Sequence, residues 1–430
     1  MLIIGTFEPK VEYKTNLGKH PPNMSTLKNI LYVSNLCSPR LLDYIFNTSR
    51  IKPGLQVQKF HRLIVEGLSV QNEHPFVLDI LSAIPVVPRS HTRRLWNLPE
   101  EVVDNIRYNY VPMINFRFIK SISVFVNSFI KIFLWNLSGK RKCKIVYCDV
   151  LNLALTISAH LACKLTSTKI VGIVTDIPGM IVSSQSDGNT LESKMHDIIR
   201  LKILSNYDGY VFLTEQMNKL INYYHKPYIV MEGLVDIKMN FSENRLYQKD
   251  AERILIYAGL IYEEYGVKKL IEAFMKLPDD DLRLHIYGGG EMEKDMPFYS
   301  GMDKRIVYQG IVPNHVIVQK QIEATLLINP RPSTSEFTKY SFPSKNMEYM
   351  VSGTPLVTTP LPGMPEEYKQ FVYLLNDESV EGIYSTLNIL LSKSKEEIHN
   401  FGNCAKQFVL SQKNNLIQSK RIMNLLESVH

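Results

Sequence analysis

Short apolar runs recur along this chain, and the stretches between them have the length and periodicity of helices. Asn29–Ser34, Phe76–Ile84, Lys144–Cys148, Lys169–Val174, Gly209–Leu213 and Lys226–Met231 form one series. Ile254–Gly259, Leu282–Tyr287, Ile306–Gly310, Thr325–Ile328 and Leu356–Thr358 form a second. A run apolar at successive positions suits a strand covered on both faces, and strands alternating with helices mean a parallel sheet. At 430 residues the chain exceeds one ordinary core. The expectation is an α/β protein of two Rossmann-like domains with parallel sheets facing across a cleft. The first spans 1–240 and regains a helix over 412–430; the second spans 252–411, after a polar, unpatterned linker at 237–251. Ligands of such sheets sit outside the carboxyl ends of the strands, which selects Asn35, Asp149, Asp176, Gly259, Gly288, Ile311 and the Ser341–Lys345 loop as cleft candidates.

Composition narrows the class. Cys37, Cys143, Cys148, Cys163 and Cys404 are odd in number and include no C-x-x-C pair, which argues against a disulfide framework or zinc site and for a reducing cytoplasm. None of the eleven histidines has zinc-type spacing, so no metal ligand is assigned. Met1–Glu8 has no basic region ahead of its brief apolar run, and no signal peptide is expected there. Ser121–Gly139 is apolar enough to resemble a membrane span, but Lys131 at its centre makes an amphipathic or half-buried helix the better reading.

The net charge of +7 is unevenly spread: residues 89–144 hold eleven Lys or Arg against three acids, interleaved with aromatics such as Trp96, Phe116, Phe118 and Trp135. That pattern suits an anionic surface, either a membrane carrying lipid-linked acceptors or nucleic acid. It equally suits a solvated basic face over an aromatic core. Peripheral contact with the inner face of a membrane, without a nucleic-acid partner, is the expectation.

The most informative stretch is Tyr340–Thr359, which reads as loop, helix and buried strand. Pro343 suits the first helical position, Gly353 a left-handed terminus, and Pro355 stops any continuation. First-turn N–H groups of a helix lack partners and favour a phosphate. Lys345 adds a positive charge there, and Glu348 lies three residues on, along the same face. A cation beside an acceptor-only carboxylate fits the pyrophosphate and ribose diol of a nucleoside diphosphate. An ordinary surface ion pair at i,i+3 fits the same spacing.

The pattern Phe342-Pro343-Ser344-Lys345-x-x-Glu348-Tyr349-Met350-x-x-Gly353-x-Pro355 resembles the nucleotide-sugar site of the group 1 (family 4) retaining glycosyltransferases, whose architecture is the GT-B fold. The resemblance covers about residues 28–425 and is strongest after Ile254. It implies that Glu348 holds the donor ribose, that Ser341–Lys345 meets its phosphates, and that Gly259 lets the backbone approach closely; Gly288, which opens the tight Gly288-Gly289-Gly290 turn, is a further nucleotide-sugar-binding candidate. It also implies that Ile311 and Val312 form the base-binding edge, and that no cofactor or metal is needed beyond the nucleotide-sugar donor. The sequence departs from the family where a glutamate beside the sugar is replaced by Tyr340, with Glu336 the nearest acid upstream. Leu260 and Tyr265 stand where an arginine and a lysine are usual.

Three further groups are candidates. Arg331, at a strand end, either reaches the diphosphate or lies on the surface. Asp176, preferred over Asp149, either orients and deprotonates an acceptor hydroxyl or caps the turn that follows it. Asp279-Asp280-Asp281 resembles an Asp-x-Asp metal motif but precedes a strand, at the wrong end of the sheet, and reads as a polar turn. The resulting expectation is a retaining hexosyltransferase acting in surface polysaccharide biosynthesis on a glycan or lipid-linked acceptor, with Asp176, Lys345 and Glu336 as catalytic candidates. The alternative is a GT-B protein that binds nucleotide sugars without turnover.

Overall fold

The computed structural model describes residues 29–70, 78–138, 144–177, 191–241, 243–249 and 252–429. The apolar runs become two sheets. In the first, eight strands lie in the order Tyr228–Val230, Gly209–Phe212, Lys169–Val174, Lys144–Asp149, Asn29–Ser34, Leu78–Ser82, Ile106–Tyr110 and Glu101–Val103. Asn29–Ser34 runs parallel to both neighbours and is buried beyond its first residue, which is why its sequence shows no polar alternation. The second sheet has six strands, all parallel, in the order Ile306–Gly310, Leu282–Tyr287, Arg253–Ala258, Leu326–Asn329, Leu356–Thr358 and Tyr373–Leu374.

Several details differ from expectation. The first sheet is not wholly parallel, because Glu101–Val103 pairs antiparallel with Ile106–Tyr110. The connecting Asp104 and Asn105 both have positive φ, the geometry that matches hairpin turns to strand twist. Ile106–Tyr110 alternates buried and half-buried residues, so it carries no continuous apolar run. Helix Pro39–Thr48 follows a turn read only as a loop; Ser38 caps it by accepting from the Leu41 N–H. Pro343 stands one position earlier than expected, at the cap rather than inside the helix. Phe76, Cys143, Pro178 and Gly179 lie outside the described residues.

The final helix, Asn415–Val429, returns to the first half. Ile422, Leu425 and Val429 join its core, each worth roughly 1.5–3 kcal/mol if fully buried. Ser419 Oγ donates to the Ile64 carbonyl and the Tyr147 hydroxyl donates to Ile422. Where the chain crosses back, Lys413 is ion-paired with Glu232 and Glu367, and the Tyr368 hydroxyl donates to Glu232 at 2.6 Å. Beside it, Val235 donates to Lys413 and accepts from Asn415. Asp279 and Asp281 both pair with Arg253, ahead of the Leu282–Tyr287 strand.

Candidate functional site

Helix Ser344–Ser352 ends at Gly353, whose φ of 80° is the left-handed conformation glycine adopts most readily. Asn346 faces inward, accepting from Asn329 Nδ2 at 2.7 Å. Glu348 lines a cavity of about 290 Å³ between the two halves, whereas the Lys345 side chain is directed to Tyr257 and Gly259. Ser341, Phe342, Pro343, Ser344, Glu348 and Arg331 line the cavity from the second half, Lys59, Phe60, Thr175 and Asp176 from the first.

The ammonium of Lys345 lies 4.4 Å from the centre of the Tyr257 ring and 3.4 Å from its hydroxyl. It fits there because residue 259 is glycine: a Cβ at Gly259 would stand 2.3 Å from Lys345 Nζ. Gly288 packs as closely, since a Cβ there would meet the Gly259 carbonyl at 1.8 Å, and its φ is +123°. Burial, followed by the nearby Arg331 charge, lowers the Lys345 pKa to about 7, opposed by Glu348. An ammonium so destabilised gains more from a phosphate than a solvated one would.

Glu348 accepts from Lys59 Nζ at 2.5 Å across the cleft. Arg331 sits between aromatic rings, 4.6 Å from the centroid of Tyr265 and 5.4 Å from that of Phe337. Burial lowers its pKa, and its buried Nε has no hydrogen-bond partner among the described residues. On the facing wall, burial and then the Asp149 charge raise Asp176 to about 6, opposed by Arg331. The cavity therefore has Arg331 on its wall, with the Lys345 charge near it, and the Asp176 carboxyl group on the facing wall.

The remaining candidates are spread around this centre. Asp149 is not at the surface of the cleft: it is buried, 3.3 Å from His61 Nε2, and His61 Nδ1 is 2.7 Å from the Tyr32 hydroxyl. Ile311, 79% exposed, stands beside the Gly288–Gly290 turn, while Val312 packs on the second core. Glu336 is not brought to the cavity. Its carboxylate faces solvent and pairs with Lys339 at 2.8 Å. Tyr340 packs on the core of the first half instead of facing a ligand.

Sequence reasoning passed over Lys59 and His61, both on helix Leu55–Val70. A helix that leads into a parallel strand runs back along the sheet from its carboxyl end, as Leu55–Val70 does ahead of Leu78–Ser82, so its first turns lie beside the cleft. That rule, applied to helices as well as to strand ends, selects Lys59.

Residues 239–408 match the family model described as glycosyl transferases group 1. No curated protein sequence matches the chain. Sucrose-phosphate synthase of Thermosynechococcus elongatus is structurally similar, with a TM-score of 0.64 at 12% identity over 94% of this chain and 100% of that one. Anabaena HepE, solved with UDP-glucose, gives 0.59 at 10% identity over 93% and 99%. A glycosyltransferase from Rickettsia africae gives 0.60 at 14% identity over 94% and 98%. The chain has the GT-B fold, and residues 239–408 are similar to the group 1 glycosyl transferases.

Proposed function

We propose that this protein transfers a sugar from a nucleoside-diphosphate donor to an acceptor hydroxyl, with retention at the anomeric carbon. The carrying observation is a single cavity lined by a desolvated cation, Arg331, and a carboxyl group, Asp176, with the buried Lys345 ammonium close enough to Arg331 to feel its charge. As the anomeric bond breaks, negative charge grows on the leaving diphosphate. Lys345, Arg331 and the N–H groups of helix Ser344–Ser352 stabilise it, a task for which no metal is required. Glu348 accepts from the ribose diol once Lys59 yields it, and Gly259 and Gly288 allow the phosphates close to the backbone. Ile311 and Val312 offer an apolar edge to the base. Asp176, partly protonated near neutrality, orients the acceptor hydroxyl and takes its proton. Glu336 has no part in this reading, because its carboxylate is engaged outside the cavity.

HepE was solved with UDP-glucose, so a uridine nucleotide is the first donor to try. A glycan or lipid-linked acceptor, at the cytoplasmic face of a membrane and in surface polysaccharide synthesis, suits the basic, aromatic-rich segment 89–144. No helix among the described residues is long and apolar enough to cross a membrane, and the contact proposed is peripheral. The test is a titration of uridine and guanosine diphosphates into the wild-type protein and Lys345→Ala, with sugar release from the matching donor followed in parallel. Equal affinity in both proteins would refute the reading, and binding without any hydrolysis or transfer would leave only a nucleotide-sugar binder.

A further inference from the structure

Helix Ile119–Leu137 is turned inside out. Its buried face is Val124, Ser128, Ile132 and Asn136, held by hydrogen bonds from Ser128 to Ser158 at 2.7 Å and from Asn136 to Thr166 at 2.9 Å. Its exposed face is Ile119, Ile122, Val126, Ile130, Leu134 and Leu137. Those six recur every three or four residues, so they form one stripe about 27 Å long. A helix of a globular protein normally shows the reverse pattern, and a contiguous exposed apolar stripe marks a contact.

The start of the helix adds more of the same. Phe118 is held at φ 65°, strained for a bulky residue, with its side chain 74% exposed. Phe116 is also exposed, and Leu95 and Ile114, register partners in the small two-stranded sheet beside it, are exposed too. Arg94 lies over the Phe116 ring and Arg117 over the Phe118 ring, while Arg93 lies over Trp96. None of these three arginines is ion-paired among the described residues. Ile114, Phe116, Arg117 and Phe118 follow the carboxyl end of strand Ile106–Tyr110, the end of a parallel sheet at which clefts form.

We infer that this face docks on an anionic lipid bilayer, the stripe lying in the plane of the interface and the arginines on the headgroups. Aliphatic stripe, aromatic ring and unpaired guanidinium are the three components such a surface recognises. The docking sets the mouth of the cleft at headgroup level, where an acceptor on a lipid carrier would present its hydroxyl. That last step rests on the transferase reading; the docking itself does not.

The test is sedimentation of the purified full chain with vesicles of phosphatidylcholine alone and with a third phosphatidylglycerol. Binding to the anionic vesicles is expected, with a partition coefficient about a hundredfold lower on neutral ones, from three arginines. Ile122→Ser/Ile130→Ser/Leu134→Ser should lose binding to both. Arg93→Ser/Arg94→Ser/Arg117→Ser should retain only the weak, charge-independent component. Failure of the wild type to sediment with anionic vesicles, or undiminished binding by the serine variants, overturns the inference. So does a wild-type dimer that the stripe variant converts to monomer, which would make a second copy the occupant. Nucleotide titration of the same preparations separates the readings: intact nucleotide binding without vesicle binding removes the docking alone, and the reverse removes the transferase reading alone.

Discussion

The free Lys345 ammonium, with its pKa near 7, makes nucleotide binding a proton-uptake reaction. At pH 8 a group of that pKa is about one-tenth protonated. A unit charge at 4 Å contributes about 4 kcal/mol at an effective dielectric of 20, or about three pKa units. A bound diphosphate therefore returns Lys345 to about pH 10, and binding at pH 8 takes up about 0.9 proton. At pH 6 the lysine is already charged, and it takes up about 0.1. Between pH 7 and 9 the affinity should fall about fiftyfold in all, since the competent protonated form drops from about one-half to about one-hundredth. Calorimetric titration at pH 8 in two buffers of different ionisation enthalpy measures the uptake directly. The nucleotide's own terminal phosphate has lost its last proton by then, and Lys345→Gln supplies the baseline. Equal proton uptake by wild type and Lys345→Gln would refute the argument, as would a wild-type affinity flat from pH 7 to 9.

Other expectations follow from the same geometry. Glu348→Ala should weaken nucleotide diphosphate binding about 10- to 100-fold, the range of a hydrogen bond to a charged group; a 2′-deoxy analogue should lose affinity for the wild type but little for the variant. Asp176, raised from 3.8 to about 6, binds its proton more tightly folded than unfolded, so ionising it in place destabilises the fold as pH rises from about 4 to 6. Asp176→Asn should therefore add about 1–3 kcal/mol at pH 8 and nothing near pH 3.5, by chemical denaturation, while transfer is lost. Gly288→Ala puts a methyl into the Gly259 carbonyl at unfavourable φ and should destabilise by about 2 kcal/mol or more, read as a lower midpoint in urea.

Most of the second half was legible because its runs are uninterrupted: Val267–Met275, Leu282–Tyr287 and Val380–Leu391 have the bounds their periodicity gives. Segment 89–118 was not, because two-residue strands and a hairpin turned by Asp104-Asn105 leave no apolar period to count. In the site, Lys345 and Glu348 could be placed on one face by helical spacing alone. The bridge from Lys59 to Glu348 joins residues far apart in the chain, and no local pattern encodes such a pair. Glu336 shows the opposite failure, an acid near the right position in sequence whose short 3-10 turn aims it at Lys339.

The chain passes between the halves twice, and both passages run side by side where Val235 exchanges hydrogen bonds with Lys413 and Asn415. Two tethers on one line behave as the pin of a door. Turning about that pin stretches neither passage, whereas sliding one half past the other would strain both. The buried Lys413–Glu232 pair, beside the pin and braced by Tyr368, is then the stop that sets how far the door stands ajar at rest.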